Sequence, residues 1–338
     1  MFSKDDVVGG YRIIRKIGAG AMGAVYEVEH EFLHRRFALK TITALENNEQ
    51  ADSVERFFQE ARVMAQLSHP GIVSVQTLEI NQETGVPYFV MEYVAMSKVR
   101  RKELLKTAVT SGNKWFRTPS TSSQDLKSLS LEDLYQYAKK TKSRINPEVV
   151  RQILIDVCSA LHYAHTFGNG ILHRDIKPAN ILIRENGHAV IADFGVAKVK
   201  DQAIRKYVLQ QRARSLSLRV DRDGAAYHLI LGTREYMAPE LLSGDSPSVQ
   251  TDLYALGVTA YQLLTGEMFT SGAVPPSEFG CDPLWDEVLH KCLRANPTER
   301  WENIAALGEA LQRMPARIRK RKVKRIAGIS ALSALALT

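Results

Sequence analysis

The chain is poor in cysteine. Its three cysteines, Cys158, Cys281 and Cys292, are too few and too scattered among 338 residues for a disulfide framework. No CxxC pair and no histidine-rich tract is present to hold zinc, and a reduced, cytosolic setting is the expectation. Residues 1–10 lack the apolar core of a secretory signal. No internal repeat is found. What remains is ordinary for a folded protein: 45% hydrophobic and 24% charged residues exclude wholesale disorder. The length corresponds to about two folding units.

The net charge of +8 is unevenly placed. Residues 317–325 hold seven basic and no acidic side chains, residues 97–127 eight against two, and residues 198–223 eight against three. These segments together carry +18, which leaves −10 for the rest. An acidic body with basic appendages argues against a nucleic-acid binder, and no basic patch is interleaved with aromatics for base stacking.

From residue 11 to residue 94 the pattern is mostly strand-like. Short β-type runs cover 11–16, 24–30, 36–43, 72–80 and 88–93, and helical spacing covers 53–68, with Ser53 as its expected cap. From residue 128 onward the chain reads as helical, with an amphipathic stretch at 147–167 and an apolar helix at 252–265 ended by Gly266. Residues 97–127 have no clean periodicity and are expected to be a flexible insertion or surface loop. The uncharged residues 326–338 would rise about 20 Å as a helix, short of a hydrocarbon core of roughly 30 Å. Following the basic run 317–325, they read as the start of a membrane anchor, a tail touching anionic lipid, or a disordered tail.

Three groups of residues carry chemistry. Gly18-Ala19-Gly20-Ala21-Met22-Gly23 is followed by an alternating strand beginning Ala24-Val25, not by a helix. The glycines therefore sit at a hairpin tip, where backbone N–H groups can approach a polyphosphate, although a plain turn also explains them. Lys40 ends the apolar run Ala38-Leu39, and Glu60 follows on the expected helix; taken alone, each reads as a solvated charge. The third group is the most specific. His173-Arg174-Asp175-Ile176-Lys177-Pro178-Ala179-Asn180 is followed by Asp193-Phe194-Gly195. A carboxylate, a lysine and an amide within six residues, with a second carboxylate downstream, form the set that phosphoryl transfer needs.

On these motifs residues 11–314 resemble a protein kinase catalytic domain, similar to the bacterial, Hanks-type members of the serine/threonine kinases. The resemblance implies an α+β, bilobal fold: an N-lobe at 11–94, a C-lobe at 95–314, an N-terminal extension at 1–10 and a tail at 315–338. It implies ATP and Mg2+, with Mn2+ as a substitute, and protein substrates bearing serine or threonine. Lys40 resembles the phosphate-binding lysine and Glu60 its partner. Asp175 resembles the catalytic base, Lys177 the residue that steadies the transferred group, and Asn180 and Asp193 the metal ligands. Met91 takes the gatekeeper position. Glu92 to Val94 resembles the hinge, and Ile17, Val25, Ala38 and Leu182 would sandwich the adenine. Glu240 and Arg300 resemble a buried structural bridge, and Asp252 the anchor of the catalytic loop. Arg174 resembles the arginine that receives an activation-segment phosphate, for which Ser215 and Ser217 are the expected sites. Thr233 resembles a structural partner of Asp175 and Lys177.

Two features depart from the compact family pattern: the insertion 97–127 and a long activation segment, 193–240. Active kinase, pseudokinase and small-molecule phosphotransferase are the competing readings. The first is favoured because Lys40, Glu60, Asp175, Asn180 and Asp193 are all present. The cytoplasmic face of a membrane is the expected location, with a tether beginning near Ile326 and the run 317–325 on anionic lipid. Oligomeric state stays open, a homodimer included.

Overall fold

The computed structural model describes residues 2–20, 23–42, 50–109, 126–194 and 234–335. The smaller lobe is built on one antiparallel sheet. Its strands are β1 (Val7–Val8), β2 (Tyr11–Gly20), β3 (Gly23–His30), β4 (Arg36–Ile42), β5 (Val75–Ile80) and β6 (Pro87–Glu92), in the order β1-β2-β3-β4-β6-β5. The extension 1–10 is therefore part of the lobe, because Val7 and Val8 pair with Arg12 and Tyr11.

Alternation along these strands gives the sheet two buried faces. Tyr26, Val28, Phe37, Leu39, Tyr88 and Val90 fill an outer cluster. Ala38, Phe89 and Met91 face the other way, toward α1 (Gln50–Gln66). Phe57, Ala61 and Met64 form the buried stripe of α1, and the Phe57 and Phe89 rings meet at 5.0 Å. Each such large side chain contributes about 1.5–3 kcal/mol by its burial. The helix begins at Gln50, so the expected cap Ser53 lies inside it.

The chain leaves β6 through residues 93–95 and enters β7 (Met96–Ser97) and then α2 (Lys98–Ala108). The expectation of a loop is corrected here for residues 97–108, while residues 110–125 lie outside the described residues. Ser97 caps α2 by accepting the Arg100 N–H, and Leu104, Leu105 and Ala108 join the main core. β8 (Leu126–Lys127) returns to pair with β7, closing the base of the insertion.

The larger lobe is helical. α3 (Leu131–Lys140) starts with a capping box between Ser130 and Asp133. α4 (Pro147–Thr166) starts with Asn146 as its cap and Pro147 in its first turn. A short hairpin, β9 (Ile181–Ile183) and β10 (Ala189–Ile191), lies beneath the small lobe, with Ile191 bridging to Ile72. Then come α5 (Pro239–Ser243), α6 (Val249–Thr265), α7 (Leu284–Cys292) and α8 (Ile304–Leu335). α6 runs through the centre of the core and ends at Gly266, whose φ of 81° suits a residue without a side chain. α8 packs Ile304, Leu307, Leu311 and Met314 into the core and continues unbroken through the basic run, where Arg317 pairs with Glu287. Among the described residues no helix is long and apolar enough to cross a membrane.

Candidate active site

Strand alternation in β4 turns Lys40 away from the outer cluster and toward α1. Its Nζ lies 2.6 Å from Glu60 Oε1 and 2.9 Å from Asp193 Oδ1. Two residues that read singly as solvated charges thus form one ion cluster with a third. Burial works against the charge on Lys40, but Asp193 and Glu60 outweigh it and hold the ammonium well above its usual range. The Lys40 charge in turn holds the Asp193 carboxyl below the usual range. Burial pushes Glu60 upward, with Lys40 pulling the other way.

The loop carrying Asp175 hangs from the first turn of α6. Asp252 accepts the N–H groups of His173 and Arg174, both at 2.8 Å, and the Nε2–H of His165 at 2.8 Å. Burial opposes the Asp252 charge, yet these donors and the neighbouring histidines keep its carboxyl below the usual range. The double clamp holds Arg174 at a φ of +66°, a conformation that costs an L-residue about 1–2 kcal/mol. Asp193 sits at +56°. Both strained residues flank the chemistry.

His173 is fully buried and ties the two motifs together. Its Nε2–H donates to the Ala192 carbonyl at 3.1 Å, and its ring packs 4.6 Å from the buried ring of Phe194. The Ala192 N–H donates to the Asn180 carbonyl at 2.9 Å. Asp175 Oδ2 accepts from Lys177 Nζ and from Asn180 Nδ2, each at 2.9 Å. The residues expected to act together, Lys40, Glu60, Asp175, Lys177, Asn180 and Asp193, are brought into one connected cluster.

These groups fit a divalent cation and a nucleotide. Asn180 spends its amide N–H on Asp175, which leaves its amide oxygen available, and Asp193 adds a carboxylate. That all-oxygen donor set suits Mg2+. Ile17, Val25 and Leu182 are half-buried apolar side chains on the main core, and Ala38 pairs in register with Met91. Ala24 is different: alternation turns it into the outer cluster, so only its backbone can face a ligand. At Gly23 a Cβ would meet the Thr41 carbonyl at 1.8 Å, so this glycine allows the close approach of β3 and β4. At Gly18 the nearest atom to a Cβ is Val25 Cβ at 3.7 Å, ordinary contact. Ala19 and Gly20 pair with Ala24 and Gly23 across the hairpin. Glu92 and Val94 flank Tyr93, with Val94 buried and the Glu92 side chain paired to Arg184.

Glu240 and Arg300 form the expected bidentate bridge at 2.6 and 2.7 Å, with Arg300 only 3% exposed. Ala21, Met22, Ser215, Ser217 and Thr233 lie outside the described residues. Sequence reasoning missed His165 and Arg184, because each finds its carboxylate 87 and 92 residues away, with no local pattern to mark it.

Residues 11–312 match the protein kinase domain. The chain is 31% identical over 324 residues to the serine/threonine-protein kinase Pkn1 of Myxococcus xanthus, covering 90% of this chain and 38% of that protein. It is 32% identical to the serine/threonine-protein kinase PknD of Chlamydia trachomatis, covering 89% of this chain and 31% of that protein. The chain thus spans roughly a third of the length of these relatives. In fold it is similar to the kinase domain of PknI from Mycobacterium tuberculosis (TM-score 0.60, 23% identity, 94% of this chain and all of that one). It is also similar to the apo form of PpkA-294 (TM-score 0.64, 21% identity, 92% and 99%). The α+β bilobal fold, the clustered motifs and these likenesses agree: the chain belongs to the protein kinase domain family, as a Hanks-type domain of the bacterial serine/threonine kind.

Proposed function

We propose that the chain transfers the γ-phosphoryl group of ATP to serine or threonine hydroxyls of proteins. The observation that carries this reading is the contact chain Lys177–Asp175–Asn180, joined through Ala192 to Asp193 and Lys40. Bound MgATP would supply the phosphoryl group and the cation that neutralises its charge. Asp175 takes the acceptor hydroxyl's proton at a carboxylate oxygen and orients that hydroxyl for attack. Lys177, 2.9 Å from the same carboxylate, lies where it can steady the group in transit. Lys40, fixed by Glu60, presents a permanent charge to phosphate oxygens. Asn180 and Asp193 would hold the metal. Acid hydrolysis of the labelled product tests the acceptor: phosphoserine and phosphothreonine are expected, and phosphotyrosine or a small-molecule product would refute the assignment.

Two finer readings go with it. Ser215 or Ser217 is autophosphorylated, because Arg212, Arg214 and Arg219 surround them in sequence and would bond a phosphate. Phosphopeptide mapping that found both serines unmodified in active enzyme would end this reading. The run 317–325 brings the domain to an anionic membrane face. Arg317 and Arg321 already reach Glu287 and Asp282, which weakens that charge. Sedimentation with phosphatidylserine vesicles tests it, and binding that is no tighter than to neutral vesicles would refute it.

A further inference from the structure

The insertion 97–127 is linked to the hinge from both of its ends. At its start, Arg100 of α2 is only 1% exposed, and its Nε–H donates to the Glu185 carbonyl at 2.9 Å. The preceding residue, Arg184, forms a bidentate pair with Glu92, with Nη2 3.0 Å from Oε2. The same Nη2 donates to the Pro70 carbonyl at 3.1 Å. One guanidinium in the large lobe therefore holds the hinge and a loop of the small lobe together, and the inserted helix holds the segment that carries it.

At the insertion's far end, the Leu126 carbonyl accepts from Arg15 Nη2 at 3.0 Å. Arg15 also donates to Tyr93 Oη at 3.0 Å and pairs with Glu27 at 2.6 Å. Tyr93 donates to Glu27 Oε2 at 3.2 Å, and Arg36 pairs with the other carboxylate oxygen, Oε1, at 2.5 Å. Glu27 is a buried carboxylate, so its partners are held in place by the cost of leaving it unpaired. Glu92 and Tyr93 are neighbours in the hinge and point opposite ways, as consecutive extended residues do. Each is gripped by a network that ends on one edge of the insertion.

We propose that the inserted segment braces the hinge and sets nucleotide affinity, with Arg184 and Arg15 as positioning residues that do not touch the phosphates. The inference rests on the nucleotide-binding reading above. Hinge position fixes where adenine-facing backbone groups lie, so loosening the brace weakens binding of ATP and leaves the transfer step intact.

The test compares the wild-type chain with Arg184→Gln and Arg15→Met. It measures MgADP binding by calorimetry, melting temperature, and the KM for ATP against kcat and the KM for a basic protein substrate. Each variant is expected to weaken nucleotide binding about threefold to tenfold, the weight of part-exposed charge-assisted bonds, with kcat and the protein-substrate KM unchanged. Arg100→Gln tests the link to α2 and should show the same split. Should that variant fail to fold, Arg15→Met, at the half-exposed far end, still carries the test of the brace. Wild type that binds nucleotide alongside variants that bind it equally well overturns the brace alone. A fall in kcat and melting temperature together with a rise in both KM values marks a merely structural role and also overturns it. Wild type that binds no nucleotide overturns both this inference and the kinase reading.

Discussion

Cutting the Glu240–Arg300 bridge should unbalance the large lobe by an amount that depends on which side is cut. Arg300 is 3% exposed, and its guanidinium also donates to the carbonyls of Arg294 (2.8 Å), Gln250 (2.8 Å) and Ala295 (3.3 Å), with Tyr254 4.9 Å from its Cζ. Glu240→Gln keeps those three carbonyl bonds and leaves the cation partly solvated by them. Its cost is expected near the low end of the range for breaking a buried pair, about 3 kcal/mol. Arg300→Met leaves a buried carboxylate with no cation and three carbonyls with no donor. Its cost is expected near the top, about 5 kcal/mol. The double variant Glu240→Gln/Arg300→Met removes both charges and leaves a neutral amide with the orphaned carbonyls, so it should fall short of additivity by about 2–3 kcal/mol. Urea unfolding followed by tryptophan fluorescence reads this directly, since Trp285 and Trp301 both lie in the large lobe. Single variants costing under about 1 kcal/mol, or a double variant equal to their sum, would refute the reasoning.

Other outcomes follow from the same geometry. Gly23→Ala forces β3 and β4 apart and should cost about 1–3 kcal/mol of stability, whereas Gly18→Ala should melt with the wild type; equal melting of the two variants would contradict this. Lys40→Met removes the cation between Glu60 and Asp193 and should lower phosphoryl transfer about 10²–10³-fold, while circular dichroism still reports a folded chain. Burial keeps the His173 imidazole below its usual value of 6.5, so the unfolded chain takes up that proton first as pH falls. The contribution of neutral His173 is thus complete above pH 6.5 and shrinks below it. The gap in melting temperature between wild type and His173→Gln should narrow as pH drops from 7.5 to 5.5, and a constant gap would sink the idea.

The clustered residues of the candidate site were legible because their chemistry is dense: Asp175, Lys177 and Asn180 fall within six positions, and no packing requirement calls for that set. The strands were legible because residues such as Ala38, Leu39 and Lys40 alternate between two buried faces and the site. The same alternation sets Ala24 and Val25 on opposite faces of β3, which leaves the Ala24 backbone to face the site. α2 was missed because its buried face carries Arg100 beside Leu104, Leu105 and Ala108, and a buried arginine reads as a solvent face until Glu185 is brought to it. Asp252–His165 and Glu92–Arg184 were beyond reach for a related reason. Charges far apart in the chain look like surface charges until folding pairs them.

The central claim is that Asp175 acts as base within a working site, and one side-by-side assay tests it. Wild type and Asp175→Asn are incubated with γ-labelled ATP, Mg2+ and a generic basic protein, and label on the protein is counted. Incorporation by the wild type and its loss by about two orders of magnitude or more in the variant is the expected result. Equal labelling by the two proteins, or none by either, would contradict the account.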